Sequence, residues 1–250
     1  MKKSVLFSII VILVVSILPL RASAVPILFG DHVNQWAPHF GNKPGIEYYG
    51  TPNITGGVVD VRNDGTLGSV TISMTNMSKH WYLLEPGSLF IDAEADGVWD
   101  YLVDTAPSVI DGSDTAGTYD LYRITQPFDD PNTNGNYKMS YTLRSARIRN
   151  GAPVSMKDSY LSGLTAGTAY FSGWPGSVGQ GDSISITYSI FSFDILLGEQ
   201  FTISWMPTCA NDVVLETMSR PVPEPASLLL LGTGMVCLAS IGRRRIKAKK

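Results

Sequence analysis

Between residues 25 and 220 the chain is marked by short stretches in which apolar and hydroxyl side chains take turns. Val70, Ile72 and Met74 are interleaved with Thr71, Ser73 and Thr75. Ile184, Ile186, Tyr188 and Ile190 alternate with Ser185, Thr187 and Ser189, and Phe201, Ile203 and Trp205 with Thr202 and Ser204. Successive side chains of a strand point to opposite faces, so a period of two puts the apolar groups on one face and the hydroxyls on the other. That is the pattern of a half-buried antiparallel strand. Further candidate strands run over residues 58–61, 81–84, 89–91, 98–103, 119–124 and 137–143. Turn sequences separate them, among them Asn63-Asp64-Gly65, Glu85-Pro86-Gly87, Asn134-Gly135 and Trp174-Pro175-Gly176. No window of ten or more residues in this region carries a 3.6-residue period. The expected fold is therefore all-β: an antiparallel β-sandwich of the jelly-roll kind, with an antiparallel barrel as the alternative.

Both ends of the chain break this pattern with continuous apolar runs. Lys2 and Lys3 precede an almost wholly apolar stretch over residues 5–18, followed by Pro19 and the small residues Ala22-Ser23-Ala24. This is the layout of a signal peptide, residues 1–24, cut by signal peptidase after Ala24. Near the other end, residues 226–242 carry no charge. As a helix they would extend about 25 Å, enough to cross a thin bilayer with snorkelling flanks. Arg243, Arg244 and Arg245, with Lys247, Lys249 and Lys250, follow at once. Basic residues stay on the cytoplasmic side of a span, so the tail is expected inside and the body outside.

Pro223 and Pro225 flank Glu224 just before that run and favour an extended, exposed connector. The sequence Val222-Pro223-Glu224-Pro225-Ala226, an apolar run containing Gly232-Thr233-Gly234 and a terminal Arg cluster resembles the PEP-CTERM sorting signal of Gram-negative bacteria. The resemblance implies recognition by an exosortase, a multi-pass membrane protease. It also implies a passage from an inner-membrane anchor facing the periplasm to the cell surface or the exopolysaccharide matrix. A weaker similarity to the same proteins lies at residues 203–216, where a strand ends in Cys209-Ala210-Asn211-Asp212. The expected organisation is a signal peptide over 1–24, an acidic body over 25–220 and a processing motif over 221–225. A transmembrane helix over 226–242 and a basic tail over 243–250 complete it.

Charge changes the picture of the body. The whole chain has a formal net charge of −3, but nine of its nineteen Lys and Arg lie in the terminal segments. Residues 25–220 hold ten Lys/Arg against twenty-one Asp/Glu, a net of −11. A surface of that sign repels nucleic acid and anionic lipid, which argues against either as its partner. Cys237 falls in the C-terminal apolar run, which leaves Cys209 as the only thiol of the body and rules out a disulfide within it.

Four candidate chemistries remain. Asp92, Glu94, Asp96 and Asp100 surround Gly97 at the spacing of positions 1, 3, 5 and 9 of a calcium loop, and a hard cation wants such oxygens. The departures are Glu94 at position 3, Val103 where a bidentate Glu belongs, and strand-like flanks. An acidic β-turn is the competing reading. Cys209 has no His or orienting partner in a recognisable catalytic context, and a small buried hydrophobe explains it better. His32 and His39 match no metal spacing. Trp174, in Gly173-Trp174-Pro175-Gly176, is expected to be exposed in a turn, where its ring could stack on a sugar. Most of the other tryptophans are expected in the core. The function that follows is a non-enzymatic exported surface or matrix protein. A polysaccharide-binding module, with or without Ca²⁺, is the alternative, and an exported hydrolase is the weaker one.

Overall fold

The computed structural model describes residues 25–32, 52–76, 86–105, 116–124, 137–138, 153, 155–156, 161, 164–207, 212–221, 232 and 234. The chain divides into two units, Ser23–Pro221 and a second comprising Met1–Ala22 and Val222–Lys250. The expected signal peptide over 1–24 lies outside the described residues. So does the expected helix over 226–242, apart from Gly232 and Gly234. Among the described residues no helix is long and apolar enough to cross a membrane.

All the described elements are strands: β1 Val25–Phe29, β2 Asn53–Val61, β3 Leu67–Thr75, β4 Leu89–Asp92, β5 Tyr101–Val103, β6 Gly117–Arg123, β7 Tyr137–Lys138, β8 Ser155–Met156, β9 Thr165–Phe171, β10 Ser183–Ile190, β11 Gln200–Trp205 and β12 Val214–Ser219. Ten of them form one sheet in the order β1-β2-β3-β10-β9-β6-β5-β4-β11-β12, and β7 pairs with β8 separately. Every pairing is antiparallel. Alternation led us to expect two facing sheets; the ladders instead join all ten strands into one. A twisted sheet of this size curls, because each strand turns about 20–25° from its neighbour.

The curl brings the two end strands together. The backbone N–H of Ile54, on β2, donates to Asp212 Oδ2 just before β12, at 2.5 Å. The Nδ1 of His32, just past β1, lies 2.8 Å from both carboxylate oxygens of Glu216 on β12. Phe29 and Ile54 from one end share a core with Val214 and Met218 from the other. The sheet is thus nearly closed. A bulge at Thr55 bends β2, and Gly56 beside it has φ 124° and no room for a Cβ against the Phe29 carbonyl.

The interior is filled by the apolar halves of the alternating strands. Val70, Ile72 and Met74 of β3, Ile186, Tyr188 and Ile190 of β10, and Phe201, Ile203 and Trp205 of β11 are all buried in it. Each such side chain contributes about 1.5–3 kcal/mol over leaving it in water. A polar cluster is bonded across the interior: Trp205 Nε1 donates to Tyr188 Oη at 2.8 Å and to the Gly87 carbonyl at 3.1 Å. Tyr188 Oη and Thr105 Oγ1 donate to the same carbonyl, at 3.1 and 2.7 Å.

The strands β1, β8, β9 and β12 fall outside the alternation read from sequence. In β9 only Ala169 and Phe171, at its end and preceded by Thr165 and Gly167, mark the inward side; Pro26 interrupts β1, and Glu216 occupies a core-side position of β12 between Val214 and Met218.

Candidate functional site

The acidic stretch Asp92 to Asp100 links β4 to β5 at one end of the sheet. β4 delivers Asp92 into the turn with its side chain only 3% exposed. The carboxylate accepts three backbone N–H groups of its own loop: Glu94 at 3.3 Å and Asp96 at 3.2 Å on Oδ1, and Gly97 at 2.8 Å on Oδ2. Asp96 Oδ1 accepts from the Val98 N–H at 2.9 Å, and Asp100 Oδ2 from the Ala93 N–H at 2.7 Å. Gly97 turns at φ 88°, and Ala95 is held at φ 53°, a left-handed conformation that costs an L-residue about 1–2 kcal/mol. The carboxylates of Asp92, Asp96 and Asp100 therefore work inward, as acceptors for the amides of a tight turn.

That arrangement bears on the calcium expectation. Among the described residues no three His, Cys, Asp or Glu side chains come together in a way that could hold a metal ion. Asp92, Glu94, Asp96 and Asp100 share a loop, but Glu94 and Asp96 are exposed while Asp92 is buried beneath the amides. Burial pushes the carboxyl of Asp100 above its ordinary value of 3.8 against the pull of the Ala93 amide. The charges of Asp92, Asp96 and Glu94 push it the same way as burial.

Trp174 requires a correction. The turn exists, but Gly173 at φ 93° brings the backbone close over Ala116 and sends the indole inward. Trp174 is 5% exposed and lies against Trp205, with ring centroids 6.2 Å apart. It is core, as are Trp99 and Trp205, and its face is not offered to a sugar. Among the described residues the exposed aromatic rings include Tyr170, 42% exposed on β9, and Phe191, 59% exposed, which strand alternation alone does not single out.

Of the remaining residues read from sequence, Cys209 lies outside the described residues, in the link between β11 and β12. Val222, Pro223, Glu224 and Pro225, and Arg243, Arg244 and Arg245, lie outside them as well. The described body ends at Pro221, one residue past Arg220, whose N–H is bonded to the Glu199 carbonyl at 2.8 Å. What sequence reasoning missed is the pair His32 and Glu216, 184 positions apart, which no local motif could have joined.

A family model of the PEP-CTERM protein-sorting motif matches residues 221–245. No curated protein and no solved structure matches the chain. The motif implies exosortase-dependent sorting of an exported protein, with membrane anchoring through its C-terminal segment.

Proposed function

We propose that the chain is a non-enzymatic protein of the cell surface or extracellular matrix, whose β-rich body is cargo for the sorting segment that follows it. The observation that carries this reading is the sorting motif over residues 221–245, which begins where the last strand's backbone bonding ends at Arg220. In this reading signal peptidase removes residues 1–24 and residues 226–242 hold the chain in the inner membrane. Arg243, Arg244 and Arg245 keep the tail cytoplasmic and the body in the periplasm. The exosortase grips Val222, Pro223, Glu224 and Pro225, and processing there releases the body towards the surface and its exopolysaccharide. A non-catalytic role is supported by the use of the acids at Asp92 and Asp100: their carboxylates hold the amides of a turn.

Intact mass of the native protein, recovered separately from membrane and matrix, tests this. The matrix form should lack both the first twenty-four residues and the segment after Pro225, and Glu224→Ala should leave the protein in the membrane fraction. A C-terminal segment found intact in every fraction would overturn the reading and make residues 226–242 a permanent anchor.

A further inference from the structure

Across the outward side of β3 and β10 run eight successive alternate positions, Ser69, Thr71, Ser73 and Thr75 on one strand and Ser183, Ser185, Thr187 and Ser189 on the other. Every one is a hydroxyl, and none is buried. The register sets them in four rungs, Thr75 opposite Ser183, Ser73 opposite Ser185, Thr71 opposite Thr187 and Ser69 opposite Ser189. Three rungs are bonded directly, oxygen to oxygen, at 3.3, 3.0 and 3.0 Å. In the fourth, Ser69 donates instead to Asp60 on β2 at 2.8 Å. Each directly bonded rung uses one of its two O–H groups internally, leaving one donor and free lone pairs facing outward. Neighbouring strands stand about 4.8 Å apart and alternate residues about 6.7 Å along a strand, so the hydroxyls form a regular grid.

The borders of the grid are mixed: on β2, Asp60 stands opposite Ser69 and Asn53 opposite Thr75, while apolar groups occupy other positions. Tyr170 of β9 stands opposite Ser189, with its ring 42% exposed. On the far side Val58 of β2 stands opposite Thr71, and Leu28 of β1, 77% exposed, opposite Val58. Solvation alone would be satisfied by Lys, Glu or Asp at these eight positions, yet none carries a charge in a body of net −11. A polyanion is repelled by that body, and a polycation finds no carboxylate among the eight and one at their edge, Asp60, already bonded to Ser69. A neutral polyol meets both conditions: it pairs hydroxyl with hydroxyl and lays the apolar faces of its rings on Tyr170 and Leu28.

We propose that the β3–β10 face is a docking platform for a neutral, hydroxyl-rich polysaccharide. This rests on the reading that the body is delivered to a matrix, and it specifies what the body holds there. The test is affinity electrophoresis of the purified full chain in detergent, through native gels containing dextran, galactomannan or alginate. A neutral polymer should retard the protein and polyanionic alginate should not. Ser73→Lys with Ser185→Lys, and separately Thr71→Val with Thr187→Val, should weaken the retardation at least tenfold while the melting temperature holds. The proposal is overturned if neither neutral polymer retards the chain, or if retardation survives both double variants. It is overturned equally if light scattering shows a dimer that the Lys pair dissolves, which would make the face a contact between copies. Sorting is scored independently by mass in the matrix fraction, so a protein that is processed but does not bind removes the platform and leaves the sorting reading standing.

Discussion

The outward faces of the two halves of the sheet have opposite characters. On β3 and β10 it is the hydroxyl grid, bonded to itself and open to solvent. On β4 and β5 it is a second apolar layer, in which Phe90 and Leu102 pack with Trp99, Ile124, Met156 and Leu161. Phe90 sits between Leu89 and Ile91, whose side chains belong to the interior cluster, so β4 is buried on both faces. Met156 comes from β8, in the long connection between β6 and β9 that supplies this cover. Ser88 and Ser155 donate to Asp104 Oδ1 at 2.7 and 2.8 Å, tying β8 to the sheet beneath it. One wall of the sheet is a scaffold that carries an insertion, and the other is a surface.

The contrast predicts where the protein is fragile. Phe90→Ala, on the covered face, removes a fully buried ring that stands edge-on to Trp99 at 5.7 Å, and should cost about 3–5 kcal/mol in chemical denaturation. A loss below about 1 kcal/mol would mean the second layer is not packed as a core. Asp92→Ala strips three amides of their acceptor at the end of the same wall and should cost about 2–3 kcal/mol, with early hydrogen exchange at Glu94, Asp96 and Gly97.

Asp100→Asn should act more weakly and in the opposite direction. Burial raises the Asp100 pKa in the folded protein, so folding favours the protonated form. Its contribution to stability is full below the ordinary value of 3.8 and is lost as pH rises through the folded value. Asparagine keeps an acceptor for the Ala93 amide without the charge. The variant should therefore melt higher than the parent near pH 7 and match it below pH 3.8; a gain that persists at acid pH would contradict the assignment. The smallest effect belongs to the open face. Ser73→Ala breaks one rung there and should change stability by no more than about 0.5 kcal/mol. A larger loss would show that the grid is structural, and the two walls less different than they look.

Alternation was enough to place β3, β10 and β11 and to say which of their side chains face the core, because strand periodicity is local. It also gave the hydroxyls their common side on each strand. The C-terminal sorting motif was legible for the same reason, since it is a contiguous string and the match over residues 221–245 repeats what its residues say in order. Position within the sheet was not legible. Trp174 reads as exposed because a turn sequence says nothing about the direction in which Gly173 sends the chain. Spacing likewise left the Asp92 loop open between a cation loop and an acidic turn, because it cannot tell whether carboxylates point outward or at their own amides.

What the sequence determined by itself is therefore the all-β character, the inward and outward sides of its best strands, and the sorting segment at the end. Only the tertiary structure decided that β3 lies beside β10, more than a hundred residues away, and that Ser73 meets Ser185 there. It also decided that β4 is covered twice and that His32 reaches Glu216 across the seam. The physical reason is that side-chain direction is fixed by two dihedral angles per residue. Strand pairing is fixed by how the whole apolar surface can be buried at once, and no short stretch of residues carries that information.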